Sequence, residues 1–286
     1  MDHKCKFTVE KMCAVLGVST SGYYKWRKIK SKKQVQQTDL ESLVRYEFDL
    51  SKATYGSPRI TEQLEALGHN YSKTTIARCM KRINLVARSK RKFKLTTESN
   101  HDYRVFPNLL NRKFDVDQPG IFWVSDITYI RVASYWMYLT VVIDLADRMV
   151  LGWSLSKNMS ATNTVVQAFK NACMIRKPVK EFLFHSDRGA QYACDDFTRL
   201  IKDHHGVQSM SRKGNCWDNA VAESFFKTLK IECIYKYKIM HQKQAYSIIF
   251  NYIDGWYNTL RRHSALKGLA PVDAFLIKSK LLKLTA

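Results

Sequence analysis

Three carboxylates constrain this chain more than any other feature. Asp126 sits inside an apolar stretch, with IFWVS before it and ITYIRV after it, and Asp187 closes the apolar segment EFLFHS. Glu223 lies in DNAVAESFFKTLKIE, where Ala222, Phe225, Phe226 and Leu229 recur at helical spacing and predict one buried face. Acids so close to buried segments are costly unless a cation neutralises them, because burial and like charge both disfavour the ionised form. If the fold gathers the three, their oxygens suit hard divalent ions such as magnesium or manganese, and the site suits two-metal phosphoryl transfer. The stretch between Asp187 and Glu223 has room for a helix, a short strand and a loop before the helix that carries the glutamate.

Charge says what such a site would act on. The formal net charge is +22, and more than half of the excess falls in the first hundred residues. A polyanion is the expected partner, since neutralising phosphates releases counterions and drives association. Seven cysteines without a CxxC pair argue against both a disulfide framework and a zinc ribbon. His3 with Cys5 and Cys13, or His204 and His205 with Cys194 and Cys216, have irregular spacing, so no structural zinc is expected. The first residues lack an apolar signal core and no run is apolar enough to span a bilayer, which points to a cytoplasmic protein with no membrane partner.

The first hundred residues read as helical and basic. VEKMCAVLGVSTSGYYKWRK offers a helix, a Gly-containing turn, a Ser19 or Thr20 cap and a second helix, which together resemble a helix-turn-helix over residues 1–35. A basic stretch through Lys33 and a helix from about Asp39 to Ser51 should follow. Residues 36–95 then give a second, better-marked unit, with a helix from about Pro58 to Leu67, a turn at Gly68-His69-Asn70 and a helix capped near Ser72. On that last helix Ile76, Met80 and Ile83 should point inward. Lys73, Thr74 and Thr75 would reach base edges, while Arg78, Lys81 and Arg82 would hold phosphates. Arg88, Lys90, Arg91 and Lys92 add a run of like charge suited to lying along a duplex, before a basic linker over 96–117.

From about Asp117 the composition turns apolar. FWVSDITYIRV, SYWMYLTVVIDL and RMVLGWSLS read as three strands, with hairpin turns at Val132–Ser134 and at Asp147-Arg148. A helix near 162–176 and the strand EFLFH follow, the strand parallel to the first by the right-handed crossover rule. Asp144 should alternate away from the site, and Asp195, Asp196 and Asp218 read as cap or loop acids. Lys230, two turns beyond Glu223, shares its helix face and could hold a phosphate. The loop SRKGNCWDN sets Arg212, Lys213 and Trp217 just before that helix, a combination able to grip strand ends by charge and stacking.

Four blocks in order, WVSDITYI at 123–130, HSDRGAQY at 185–192, SRKGNCWDNAVAESFFKTLKIE at 211–232 and YNTLRRHSAL at 257–266, resemble the downstream-frame (OrfB) transposases of insertion sequence family three. These belong to the DDE transposases and retroviral-type integrases, and the resemblance spans nearly all of the chain. It implies an α/β, ribonuclease H-like (integrase-type) core over 118–235, after N-terminal helix-turn-helix units and before a C-terminal helical tail over 236–286. It implies Asp126, Asp187 and Glu223 as catalytic and metal ligands for two Mg2+ ions, with Mn2+ able to substitute. It also implies cleavage at transposon ends and strand transfer by a copy-out, paste-in route. The partners would be inverted-repeat ends and target DNA, a second copy of the chain, and an upstream-frame OrfA protein or fusion, all at the bacterial nucleoid. One departure stands out: family members carry two glycines after the leucine of the last block, and Lys267 replaces the first.

Two rival readings come from other classes. A tyrosine recombinase would use Arg261, Arg262 and His263 with Tyr257 as nucleophile, and would need no aligned acids. A DNA-binding regulator, or an end-binding subunit without catalysis, would need only the basic helical units.

Overall fold

The structure, a computed structural model, describes residues 7–87 and 103–285, and for 31–36, 216 and 283–285 the backbone alone. It divides into two compact units, Met1–Arg88 and Ser89–Ala286.

The first unit is all helix: α1 (Val9–Val15), α2 (Thr20–Leu50), α3 (Ser57–Ala66) and α4 (Lys73–Arg82). Hydroxyl caps start three of them, with Thr8, Ser19 and Ser72 accepting from the amides of Lys11, Gly22 and Thr75. A left-handed Gly68 follows α3 and turns the chain toward α4. Leu40, Val44 and Phe48 of α2, Ile60 and Leu64 of α3, and Ile76, Cys79 and Met80 of α4 are buried together with Tyr55. Arg82 Nε adds a link from α4 to α2 through Glu41 at 2.6 Å. One element differs from the sequence reading. The basic stretch and the separate helix expected after residue 28 form a single 31-residue helix that runs through the 35/36 boundary. No proline or glycine lies between Tyr23 and Leu50, and lysine, glutamine and arginine are good helix formers, so nothing in the sequence stops it.

The second unit is built on a five-stranded sheet of order β3-β2-β1-β4-β5. Its strands are β1 (Phe122–Val132), β2 (Tyr135–Asp144), β3 (Val150–Ser156), β4 (Leu183–Ser186) and β5 (Val207–Met210). The first three form an antiparallel meander, and β4 and β5 add in parallel on the other side of β1. Both expected hairpin turns form, with Ala133 and Arg148 in the left-handed region. A short π-helical stretch, Thr162–Val166, leads into α5 (Gln167–Ile175), and α6 (Ala190–Ala193) and α7 (Asp195–Asp203) connect β4 to β5. This is the mixed sheet and crossover order of the ribonuclease H-like fold.

Alternation along β1 assigns its two faces. Trp123 and Ile127 point into an aromatic core with Phe169 of α5, Phe182, Phe184 and Phe197 of α7. At one point that layer is so close that only glycine fits: a Cβ on Gly152 of β3 would stand 2.3 Å from the Ala172 backbone nitrogen. The opposite face of β1 receives α8 (Ala220–Glu232), whose Ala222, Phe225, Phe226 and Leu229 are buried as their spacing predicts. α8 is also held at its far end. Glu232 accepts from Arg261 Nε and Nη2, each at 2.8 Å, and from the Tyr252 hydroxyl at 2.8 Å, all buried. These partners come from α9 (Gln242–Tyr252) and the turn after it, so the C-terminal segment is part of the same packed body. Asn258 continues the stitching by exchanging two hydrogen bonds with Val150 of β3, and α10 (Pro271–Thr285) returns Phe275 to the Arg176 guanidinium. Lys267 occupies a left-handed conformation (φ 54°), a backbone that glycine adopts freely. Among the described residues no helix is long and apolar enough to cross a membrane.

Candidate active site

Strand register sets the site. Val124 of β1 pairs with His185 of β4, so Asp126 and Asp187, each two residues further on, leave the parallel pair at the same level. Asp126 lies on the face that α8 covers, and Glu223 is in the first turn of α8. All three acids are partly exposed, as is Lys230 further along α8. Local hydrogen bonds orient two of them: Asp126 Oδ1 accepts from the Ile127 amide at 2.8 Å, and Asp187 Oδ1 from the Gly189 amide at 2.9 Å.

Their electrostatics show that they feel one another. Burial, then the Asp187 charge, then the Glu223 charge push the Asp126 carboxyl well above its usual range, against the pull of the Ile127 amide and Lys230. Burial and Asp187 likewise raise Glu223. Burial lowers Lys230, and the Asp126 charge opposes that. Three distant segments have thus delivered three carboxylates and an ammonium to one region.

Among the described residues, no three His, Cys, Asp or Glu side chains already form a group able to hold a metal ion. The acids converge on one region without closing into a cage. Their chemistry fits a divalent ion: the donors are carboxylate oxygens, which suit magnesium or manganese rather than a thiophilic metal.

The neighbours that the sequence reading passed over sit in the same motif blocks. Tyr192 is buried with its hydroxyl 2.7 Å from Ser125 Oγ, and burial, with the charges of Asp126 and Asp187, keeps it protonated. His185, pushed down to about 4 by burial, is neutral and bridges Ser209 and Ser211, tying β4 to β5 directly below Asp187. Asn219 donates to the Ser125 carbonyl at 3.0 Å. Position in a motif block was the available signal for all of them.

Other candidate contacts divide clearly. Lys73, Thr74, Thr75, Arg78, Lys81 and Arg82 are exposed on or at the end of α4, with Arg82 engaged by Glu41. Arg88, Lys90, Arg91 and Lys92 lie outside the described residues. Trp217 is 69 % exposed, so it is a surface aromatic and not a core plug, and Lys213 beside it is exposed. Arg212 points its guanidinium at Asp218, with contacts of 2.8 Å from both Nε and Nη2. Of the recombinase set, Tyr257 is buried against Phe225 and His263, and Arg261 is locked to Glu232. Those groups serve packing, and a buried phenol wedged between rings is no accessible nucleophile.

Comparison with known proteins places the chain in a family. Two families described as integrase core domains match residues 116–216 and 206–271, and a family described as an HTH-like domain matches 35–93. The chain is 40 % identical over 273 residues to the transposase InsF for insertion sequence IS3A of Escherichia coli K12, covering 94 % of each protein. It is 37 % identical over 262 residues to a 31 kDa protein of insertion element IS600 from Shigella sonnei, covering 91 % of this chain and 96 % of that one. Among solved structures, the HTLV-2 integrase catalytic core in complex with magnesium aligns at 17 % identity and a TM-score of 0.41, over 54 % of this chain and 94 % of the other. The BIV integrase core aligns at 16 % identity and 0.43, over 58 % and 99 %. An integrase-type core with an HTH-like domain binds DNA and depends on a divalent metal for polynucleotidyl transfer. This chain therefore belongs to the IS3 family of DDE transposases, enzymes of DNA transposition and integration.

Proposed function

We propose that Asp126, Asp187 and Glu223 are the catalytic carboxylates of this transposase and the ligands of two Mg2+ ions, with Mn2+ able to substitute. The observation that carries the reading is the register of β1 and β4, which sets Asp126 and Asp187 at one level, with the charges of Glu223 and Lys230 on α8 acting on Asp126. Bound ions would supply charge stabilisation to the reacting phosphodiester and acidify its attacking oxygen. The chain's residues orient the reaction around them. Asp126 and Asp187 are fixed by backbone amides, Glu223 by α8, and Lys230 offers its ammonium to the phosphate beside the scissile bond.

Each step is an in-line exchange at phosphorus. Water first forms a bond to the phosphate at the transposon end while the bridging 3′ P–O bond breaks, leaving a 3′-hydroxyl. That hydroxyl then attacks a second phosphodiester, and the displaced oxygen leaves with a proton. No covalent protein intermediate is required. Lys73, Thr74 and Thr75 at the start of α4 read base edges, and Arg78, Lys81 and Arg82 hold phosphates. Arg88, Lys90, Arg91 and Lys92 extend that track. Lys213 and Trp217 engage strand ends next to α8, on the loop that the Arg212–Asp218 pair holds. Two ends require at least a dimer on DNA. The route is copy-out and paste-in with an upstream-frame partner protein or fusion, in the cytoplasm at the nucleoid.

The test is cleavage and joining of a duplex carrying the element's terminal repeat. Asp126→Asn, Asp187→Asn and Glu223→Gln should each keep the fold and DNA binding and lose both reactions by at least about a thousandfold. A variant that joins ends at near-parental rate in magnesium would remove its residue from the set.

A further inference from the structure

The head of α8 is held at two points that no part of the chemistry described so far uses. Asp218 has no exposed side-chain surface, and its carboxylate accepts from Arg212 Nε and Nη2 (both 2.8 Å), Arg112 Nε (2.9 Å), Asn108 Nδ2 (2.9 Å) and the Arg212 amide (3.0 Å). Hydrogen bonds from Arg212, joined by Arg112, hold it well below the usual carboxylate range. Asn219, the next residue, sends Nδ2 to the carbonyl of Ser125, the residue before Asp126. Its Oδ1 is buried without a hydrogen-bond partner among the described residues. A buried acceptor left unpaired is costly, so filling space alone is a poor account of this amide. Glu223 lies one helical turn beyond Asn219.

We propose that Asp218 and Asn219 are positioning residues that fix the head of α8, and with it Glu223, against Asp126. Asn219 ties α8 to the strand at Asp126. Asp218 ties the preceding loop to Arg112 and Asn108, which makes the segment 108–112 a working part of the site although it lies far away in sequence. Displacements of about 1 Å are enough to cost a catalytic constellation much of its rate, which is why such anchors matter for kcat. This inference rests on the assignment of Asp126 and Glu223 above.

The experiment uses the full chain on the terminal-repeat duplex, with the isosteric variants Asn219→Asp and Asp218→Asn, the exposed-arm variant Arg112→Ala, and Glu223→Gln as control. Asn219→Asp and Asp218→Asn should lower kcat for end cleavage at least tenfold while KM for the duplex stays within twofold. The magnesium concentration for half-maximal rate should rise in both. Asn219→Ser, which restores a donor toward the Ser125 carbonyl, should recover part of the rate. Arg112 is about half exposed, so its alanine variant should fold whatever the others do, and should lower kcat severalfold at unchanged KM. Folded variants with parental kcat, or losses carried wholly by KM, overturn the positioning role. Substantial cleavage by Glu223→Gln would instead overturn the underlying assignment of the site.

Discussion

Two acidic clusters lie on the same sheet and are completed in opposite ways. At the start of β1, Asp144 accepts from the Gly120 and Ala146 amides and from Trp123 Nε1, and Arg176 pairs with both Asp144 and Asp147. The Arg176 guanidinium also lies 4.2 Å from the Phe275 ring centre. There the fold brings its own cation and donors. Midway along β1, burial and the charges of Asp187 and Glu223 raise the affinity of Asp126 for a proton, burial and Asp187 raise that of Glu223, and the cation that acts on Asp126 is Lys230. The first cluster is a structural joint; in the second, on the function proposed above, a bound cation would complete the site. Neutralising substitutions should therefore have opposite consequences in the two places.

The largest effect belongs to the joint. Arg176→Ala would leave two buried carboxylates without their shared cation, and breaking one side of a buried pair costs about 3–5 kcal/mol. Urea unfolding of the variant should show that loss, while kcat per folded molecule stays near parental. A stability change under about 1 kcal/mol would remove the distinction between the clusters.

A pH scan sharpens the same contrast. Burial and the Asp144 charge push Asp147 up to about 6, against the pull of Arg176 and the Met149 amide. A carboxyl raised in the folded state contributes stability that is complete below its unfolded pKa of about 3.9 and is lost as pH rises through the folded value. Unfolding free energy should thus fall by on the order of 1–3 kcal/mol from pH 4 to 7 relative to Asp147→Asn. If the two proteins keep a constant difference across that range, Asp147 titrates normally.

The metal-free site should respond in the other direction. Asp126→Asn removes a charge held against Asp187 and Glu223, so it should stabilise the metal-free protein by about 1 kcal/mol even as it abolishes cleavage. Added magnesium should raise the melting temperature of the parent and do little for the variant, since an ion stabilises only the state that binds it. Destabilisation of the metal-free protein by Asp126→Asn would mean that the carboxylate is already satisfied, as Asp144 is.

Much of this was readable in the residues, and what was not has identifiable causes. Asp126, Asp187 and Glu223 stood out because strands and an amphipathic helix with clear periodicity carry them, and the Ser72 cap and the turn after Val132 are local chemistry. Asp218 read as a loop acid because its partners, Arg112 and Asn108, return from about a hundred residues earlier. Arg212 read as free to grip phosphate, whereas its guanidinium pairs with Asp218, six residues further on. The Glu232–Arg261 pair joins α8 to the C-terminal segment across 29 residues, a link that no periodicity reports. The continuous α2 is a different kind of miss. Its signal, a long stretch without breakers, was present and was outweighed by the charge run at Lys28–Lys33.

Lys230 should show the smallest change in stability and so draws the line between the clusters most finely. It is a cation beside acids, as Arg176 is, but it is partly exposed on α8 and burial lowers its affinity for a proton. A group in that position contributes little to the core, so Lys230→Ala should shift unfolding by no more than about 0.5 kcal/mol. Cleavage at the transposon end should nonetheless fall, because the ammonium is placed to meet the phosphate, and Lys230→Arg should restore part of it by keeping charge while changing donor geometry. Large destabilisation by the alanine variant would make Lys230 a second Arg176, a cation that holds the acids together for the fold. Parental cleavage across a range of salt would make it a solvated helix residue, and the DNA would then lie along α8 in another orientation.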